Sequence, residues 1–163
     1  MSVLKEELVP SGEHLYRQVS PSSAWLNDGR VTSVAFSPWP KDEGLLSVSC
    51  GSRTSAEQSY EHYTKTLGFP SAGVWAVTTQ EVADVGMKSY WSPVEPPHPH
   101  PDPAHGSIDF RGLDQKAVKT RSKALAAKAH NRGRRHPPID QAQPAVPPPT
   151  AAPASTDQSA TQK

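Results

Sequence analysis

Prolines divide this chain more firmly than any other residue type. The eighteen are unevenly placed, six between Pro93 and Pro103 and seven after Arg135. A proline lacks a backbone N–H and fixes φ, so neither a strand ladder nor a helix interior tolerates such a density. Residues 92–104 (SPVEPPHPHPDPA) are therefore expected to form an extended surface loop. From Pro137 onward the chain holds almost no large apolar side chain, so burial cannot offset ordering entropy, and 133–163 reads as a disordered tail. Residues 1–12 read as a flexible lead-in ended by Pro10-Ser11-Gly12. The foldable part is 13–132, about 120 residues, enough for one modest core.

Within that span, Leu15, Arg17 and Val19 alternate with His14, Tyr16 and Gln18. This is the period of a strand, with an arginine on the apolar side. Arg30–Phe36 (RVTSVAF) reads as a second strand stopped by Pro38 and Pro40, and the Lys41-Asp42-Glu43-Gly44 turn leads into a third, Leu45–Cys50. Thr54 with Glu57 forms a capping box opening a helix to about Leu67, with Gly68 beyond. Its apolar side is Ala56, Ser59, Tyr60, Tyr63 and Leu67. Ser71–Thr78 is nearly all apolar, the mark of a central strand. Thr78 and Glu81 repeat the capping arrangement for a short helix closed by Gly86. Met87–Trp91 reads as an edge strand and His105–Phe110 as the last one. Asp114 caps a basic helix over 114–132 whose narrow apolar stripe is Ala117 or Val118, Ala124, Leu125 and Ala129. The order predicts an α+β single domain with a mixed or antiparallel sheet of five or six strands and two main helices.

A formal net charge of +1 conceals a split. Residues 1–110 carry 7 Lys and Arg against 13 Asp and Glu, while 111–135 carry 9 against 1. The basic segment suits an acidic partner or nucleic acid, through Lys116, Lys119, Arg121 and Lys123. It equally suits docking on the chain's own acidic body, and it lacks interleaved aromatics for base stacking. The single cysteine, Cys50, excludes an internal disulfide and any cysteine-based zinc cluster, and its apolar surroundings suit a small buried thiol. No secretory leader is visible, and no apolar run approaches the roughly 20 residues that span a bilayer. A cytoplasmic setting follows by default.

Arg17 is the leading site candidate, because an arginine among apolar neighbours must find a partner or an anion. Its planar fork suits phosphate or carboxylate, and the structural alternative is a salt bridge to Asp109, Glu57 or Glu61. Thr32 and Ser33 are placed to hydrogen-bond a ligand from a facing strand, and His105, at a strand start, to share a cleft with Arg17. The Asp42-Glu43 pair reads as a solvated turn. His98, His100, Asp102 and His105 have metal-ligand chemistry but no zinc-site spacing, so no metal site is expected.

The strings LYRQV, GRVTSVAF, KDEGLLSV, SAEQSYEHY and SAGVWAV resemble a family of small uncharacterised bacterial proteins over roughly 14–132, which implies a bacterial source. A fold-level likeness to ADP-ribosyltransferase-like proteins rests on Arg17 after Leu15-Tyr16, on Thr32-Ser33, and on the helix from Ala56 to Tyr63. It implies NAD bound at Arg17, with Glu81 or Asp109 as the acidic residue, since no Glu-x-Glu occurs. The residues themselves hold no complete catalytic set. The expected function is an accessory or interaction protein, partnered by another protein and binding an anionic ligand near Arg17. An NAD-binding enzyme and a nucleic-acid binder are the alternatives.

Overall fold

Alternating apolar and polar side chains build the sheet. The computed structural model describes residues 7–138. In chain order its elements are β1 (Glu7–Leu8), β2 (His14–Val19), β3 (Leu26–Asn27), β4 (Arg30–Val31), β5 (Leu45–Cys50), α1 (Ala56–Glu61), β6 (Gly73–Thr78), α2 (Thr79–Asp84), β7 (Lys88–Trp91), β8 (His105–Asp109) and α3 (Gln115–Arg132). Strands β1-β7-β8-β5-β2-β6 form one sheet in that order, and all their pairings are antiparallel. The result is an α+β single domain with five full strands and the two-residue β1 at one edge.

Register sorts the side chains. Leu15 lies opposite both Cys50 and Val77, and Leu46 opposite Ile108, so the apolar positions of neighbouring strands share one face. That face is buried against Phe36 and against Leu125, Ala126 and Ala129 of α3. Each large aliphatic side chain so covered contributes about 1.5–3 kcal/mol. The opposite face carries hydroxyls, and α1 is tied to it by polar contacts. Ser71 Oγ donates to Gln18 Oε1 (2.9 Å), Gln18 Nε2 donates to Ser59 Oγ (2.9 Å), and Ser59 Oγ donates to Ser49 Oγ (3.1 Å).

The structure departs from the expected elements at several places. Arg30–Phe36 is not one strand. Only Arg30 and Val31 pair, with β3 across Asp28-Gly29, both at positive φ as a tight hairpin turn requires. Ser33–Phe36 then coils into a 3₁₀ turn that buries Ala35 and Phe36. The spacing of Val31, Ala35 and Phe36 serves a helical turn as well as a strand. The first helix is capped by Ser55, whose hydroxyl accepts from the Gln58 N–H, not by Thr54 with Glu57. The basic helix does start at Asp114, which accepts from the Ala117 N–H, but its buried stripe is Ser122, Leu125, Ala126 and Ala129.

Strand β6 ends the sheet order and is not central. It is buried because α3 covers it and because 133–138 docks on its outer edge. There the Val74 N–H donates to the His136 carbonyl (2.8 Å) and the Arg135 N–H to the Val74 carbonyl (2.7 Å). Those residues were expected in the disordered tail; the remainder of it, 139–163, lies outside the described residues. At the other edge, Glu7 and Leu8 of the expected lead-in pair with Trp91 and Tyr90, giving β7 a partner.

Two core positions yield tests. A Cβ on Gly106 would stand 2.6 Å from Cys50 Sγ and 2.8 Å from the Tyr90 carbonyl oxygen. Gly106→Ala is expected to cost about 1–3 kcal/mol by overpacking, read as a fall in the urea midpoint at unchanged slope. Ser122 Oγ is fully buried and, among the described residues, has no hydrogen-bond partner. Ser122→Ala removes that hydroxyl and is expected to stabilise the fold by about 1 kcal/mol or more, read as a rise in the midpoint at unchanged slope.

Candidate functional site

Strands β2 and β5 pair only at Leu15–Cys50 and Tyr16–Ser49, whereas β2 stays paired to β6 along its whole length. Beyond Tyr16 the two strands part, and Arg17 enters the gap. Its Nε donates to the Ala35 carbonyl (2.8 Å) and its Nη1 to the Ser47 carbonyl (2.9 Å). The guanidinium carbon lies 5.1 Å from the Trp25 ring centroid, within cation–π range. None of Asp109, Glu57 and Glu61 pairs with it, and among the described residues it has no ion pair. Desolvation by burial pushes its pKa down to about 10, against the opposing influence of Tyr63 and Asp42. It stays charged at neutral pH, with two of its five N–H groups on carbonyls.

The gap opens into a cavity of about 640 Å³, well within the range of small-molecule sites. Tyr16, Gln18, Ser47 and Ser49 form its floor, from the hydroxyl-bearing face of the sheet. Its wall on the helix side follows from a widened turn. After α1 the chain runs through a π-type turn, His62–Thr66, in which the Leu67 N–H donates to the His62 carbonyl at 3.0 Å. That turn lines the cavity with His62 and Tyr63, and such turns recur at binding sites. Trp25, Trp39 and Phe69 supply flat apolar surface. Trp39 and Phe69 remain 50% and 52% exposed, more than a packing role requires. Lys41 and Asp42 complete the rim, with Asp42 also accepting from the Trp39 N–H (2.9 Å).

His105 lines the same cavity as Arg17. Its Nδ1 lies 2.8 Å from the Ser92 carbonyl oxygen and its Nε2 lies 3.2 Å from Ser47 Oγ. Sequence reasoning missed Ser47, Ser49, His62, Tyr63, Trp25 and Trp39. The one available signal was the Leu46-Ser47-Val48-Ser49-Cys50 alternation, which marks a polar face without showing that a helix roofs it.

The other candidates lie elsewhere. Thr32 Oγ1 donates to the Ala24 carbonyl, closing the β3–β4 ribbon. Ser33 begins the 3₁₀ turn and borders a separate shallow groove with Trp39 and Leu113. Neither faces Arg17's cavity, because the expected strand that was to carry them coils away. Glu81 is gripped by Arg132, whose Nη1 and Nη2 each donate to it at 2.9 Å, while Arg132 Nη1 also reaches the Ala76 carbonyl. Asp109 is paired with Arg111 (2.9 Å). Neither acid lines the cavity. On α3, Arg121 Nη1 donates to the Gly86 carbonyl (3.2 Å), while Lys116, Lys119 and Lys123 are exposed. One flank of the basic helix is thus bonded to the body, and the lysine flank faces solvent. Cys50 is buried, and desolvation pushes its thiol up to about 12, so the protonated, weakly nucleophilic form is favoured at neutral pH.

Among the described residues, no group of three or more His, Cys, Asp or Glu is placed to hold a metal ion, and no helix is long and apolar enough to cross a membrane. Comparisons with protein-family models, curated proteins and solved structures found no match.

The Glu81–Arg132 pair predicts an acid limb of stability. Desolvation raises the Glu81 pKa, but the Arg132 bonds, the Thr78 N–H and nearby positive charge outweigh it and hold the carboxyl below its ordinary value. A carboxyl depressed on folding contributes stability that is present above its unfolded pKa, near 4.3, and lost as pH falls through the folded value. Thermal melts from pH 6 to pH 2.5 are expected to show a steeper loss for wild type than for Glu81→Gln. Parallel curves would contradict the assignment.

Proposed function

We propose that this protein binds a small anionic molecule carrying a flat apolar or aromatic part, seated at Arg17 in the cavity between β2 and β5. One observation carries the reading. Arg17 is a desolvated guanidinium lining a cavity, bonded to two neutral carbonyls and, among the described residues, to no carboxylate. A partly desolvated guanidinium that no carboxylate bonds keeps N–H groups free toward the cavity, and a bound carboxylate or phosphate takes them up in charge-assisted bonds. The hydroxyls of Ser47 and Ser49 and the rings of His62 and His105 offer further polar contacts, and Trp25, Trp39 and Tyr63 offer faces for the rest of the ligand.

The transferase-like reading draws less support, because Glu81 and Asp109 are bonded to arginines outside the cavity. An accessory role, exerted through a partner protein that senses the ligand, remains our reading of the whole chain.

The test is calorimetric titration with phenyl phosphate, benzoate, inorganic phosphate, phenol and NAD, on wild type, Arg17→Met and Arg17→Lys. Phenyl phosphate or benzoate is expected to bind, inorganic phosphate more weakly, and phenol not at all. Losing hydrogen bonds to a charged group, each about 1.5–3 kcal/mol, predicts at least tenfold weaker binding in Arg17→Met and an intermediate loss in Arg17→Lys. Binding equal in wild type and Arg17→Met would overturn the reading, as would no binding by either aryl anion.

A further inference from the structure

Ser47, His105 and the carbonyl of Ser92 stand in a line across three neighbouring stretches of chain. The Ser92 carbonyl oxygen only accepts, so His105 Nδ1, 2.8 Å away, must carry the ring proton. In the neutral imidazole, Nε2 then has its lone pair free, and it lies 3.2 Å from Ser47 Oγ. Serine oxygen, imidazole base and an acceptor that orients the base are the three roles of an activated nucleophile. The Ser92 hydroxyl, 3.2 Å from Nδ1 and 3.1 Å from Ser107 Oγ, secures the same edge of the ring. The pair opens on the cavity and is not sealed in the core, since Ser47 is exposed and lines it with His105. Arg17, bonded to the carbonyl of Ser47 itself, supplies a fixed positive charge beside the serine.

We infer that Ser47 and His105 form a hydrolytic pair that cleaves small esters, with Ser47 Oγ as nucleophile and His105 Nε2 as general base. Ser47 Oγ adds to the ester carbonyl carbon as its proton passes to His105 Nε2. The alkoxide leaving group departs with that proton, leaving an acyl-serine. Water, deprotonated by the same nitrogen, attacks the acyl carbon, and the acid leaves as Ser47 regains its proton. The net change is ester plus water to acid plus alcohol. The inference rests on the anion-binding reading only for the charge of the substrate, an ester carrying a carboxylate or phosphate for Arg17; the nucleophile and base stand independently of it.

The test uses the full chain and two readouts. Diethyl 4-nitrophenyl phosphate, a neutral reagent for activated serines, is expected to leave one diethylphosphoryl group on Ser47, located by peptide mass spectrometry. Labelling is lost in Ser47→Ala and slowed about 10²- to 10⁴-fold in His105→Gln, as loss of a general base requires. His105→Gln keeps a polar side chain, and thermal melts confirm that each variant is folded. In the second readout, mono-4-nitrophenyl terephthalate, whose para carboxylate cannot reach its own ester, is hydrolysed faster than 4-nitrophenyl benzoate, and Arg17→Met erases the preference. No adduct on Ser47 in folded wild-type protein overturns the inference, and so does labelling unchanged in folded His105→Gln. Labelling without any anion preference upholds the hydrolytic pair and removes Arg17's role. Aryl-anion binding without labelling does the reverse.

Discussion

Two hydrogen bonds from one guanidinium hold together the elements on which everything else depends. Sheet pairing between β2 and β5 stops after Tyr16 and Ser49, which leaves the Ser47 carbonyl without a ladder partner on that side. Arg17 takes that carbonyl and the Ala35 carbonyl of the 3₁₀ turn, so the side chain stands in for the missing backbone pairing. Buried backbone acceptors must be satisfied somewhere, and here a charged side chain does it. The same group lies by Trp25 and so reaches the β3–β4 ribbon. Desolvating a cation in this way is costly, and neutral carbonyls offset the cost only in part. What remains is an open coordination sphere facing a cavity.

The two sheet faces divide the labour. The face that meets α3 is a dry core, packed closely enough that Gly106 has no room for a methyl beside Cys50. The face that meets α1 is held by hydroxyl and amide contacts, from Ser71 through Gln18 and Ser59 to Ser49. Apolar packing excludes water without direction, whereas a chain of hydrogen bonds fixes position and leaves polar surface to line a site. Away from the cavity, the Arg132–Glu81 clamp and the docking of 133–138 on β6 finish the edge that the sheet would otherwise present to solvent.

Much of this was readable in the residues. Strands at 14–19, 45–50 and 105–109 announce themselves by alternation, and Thr78 with Glu81 and Asp114 announce their helices by cap chemistry. Arg17 stood out because it broke the apolar side of its own strand. What escaped is what local pattern cannot carry. Ser47 and Ser49 alternate as any solvent-facing serines would, and only the tertiary placement of α1 turns them into a cavity floor. Val31-Thr32-Ser33-Val34-Ala35-Phe36 has strand propensity, yet the core takes Ala35 and Phe36 from a coil, because packing on α3 outweighs propensity. The apolar run of β6 matched burial correctly but not position, since a helix and the 133–138 segment can bury an outer strand as completely as two neighbours can.

Arginine-selective ¹⁵N NMR observes the state of the Arg17 side chain directly. Bonded to the Ala35 carbonyl, the Arg17 Nε–H is predicted to exchange slowly with water and to give a resolved signal at neutral pH. Saturating phenyl phosphate is predicted to shift the Arg17 Nη resonances while leaving Nε nearly in place. An Arg17 Nε–H in rapid exchange, with no Nη response at saturation, would contradict both the wedge between β2 and β5 and the site it opens.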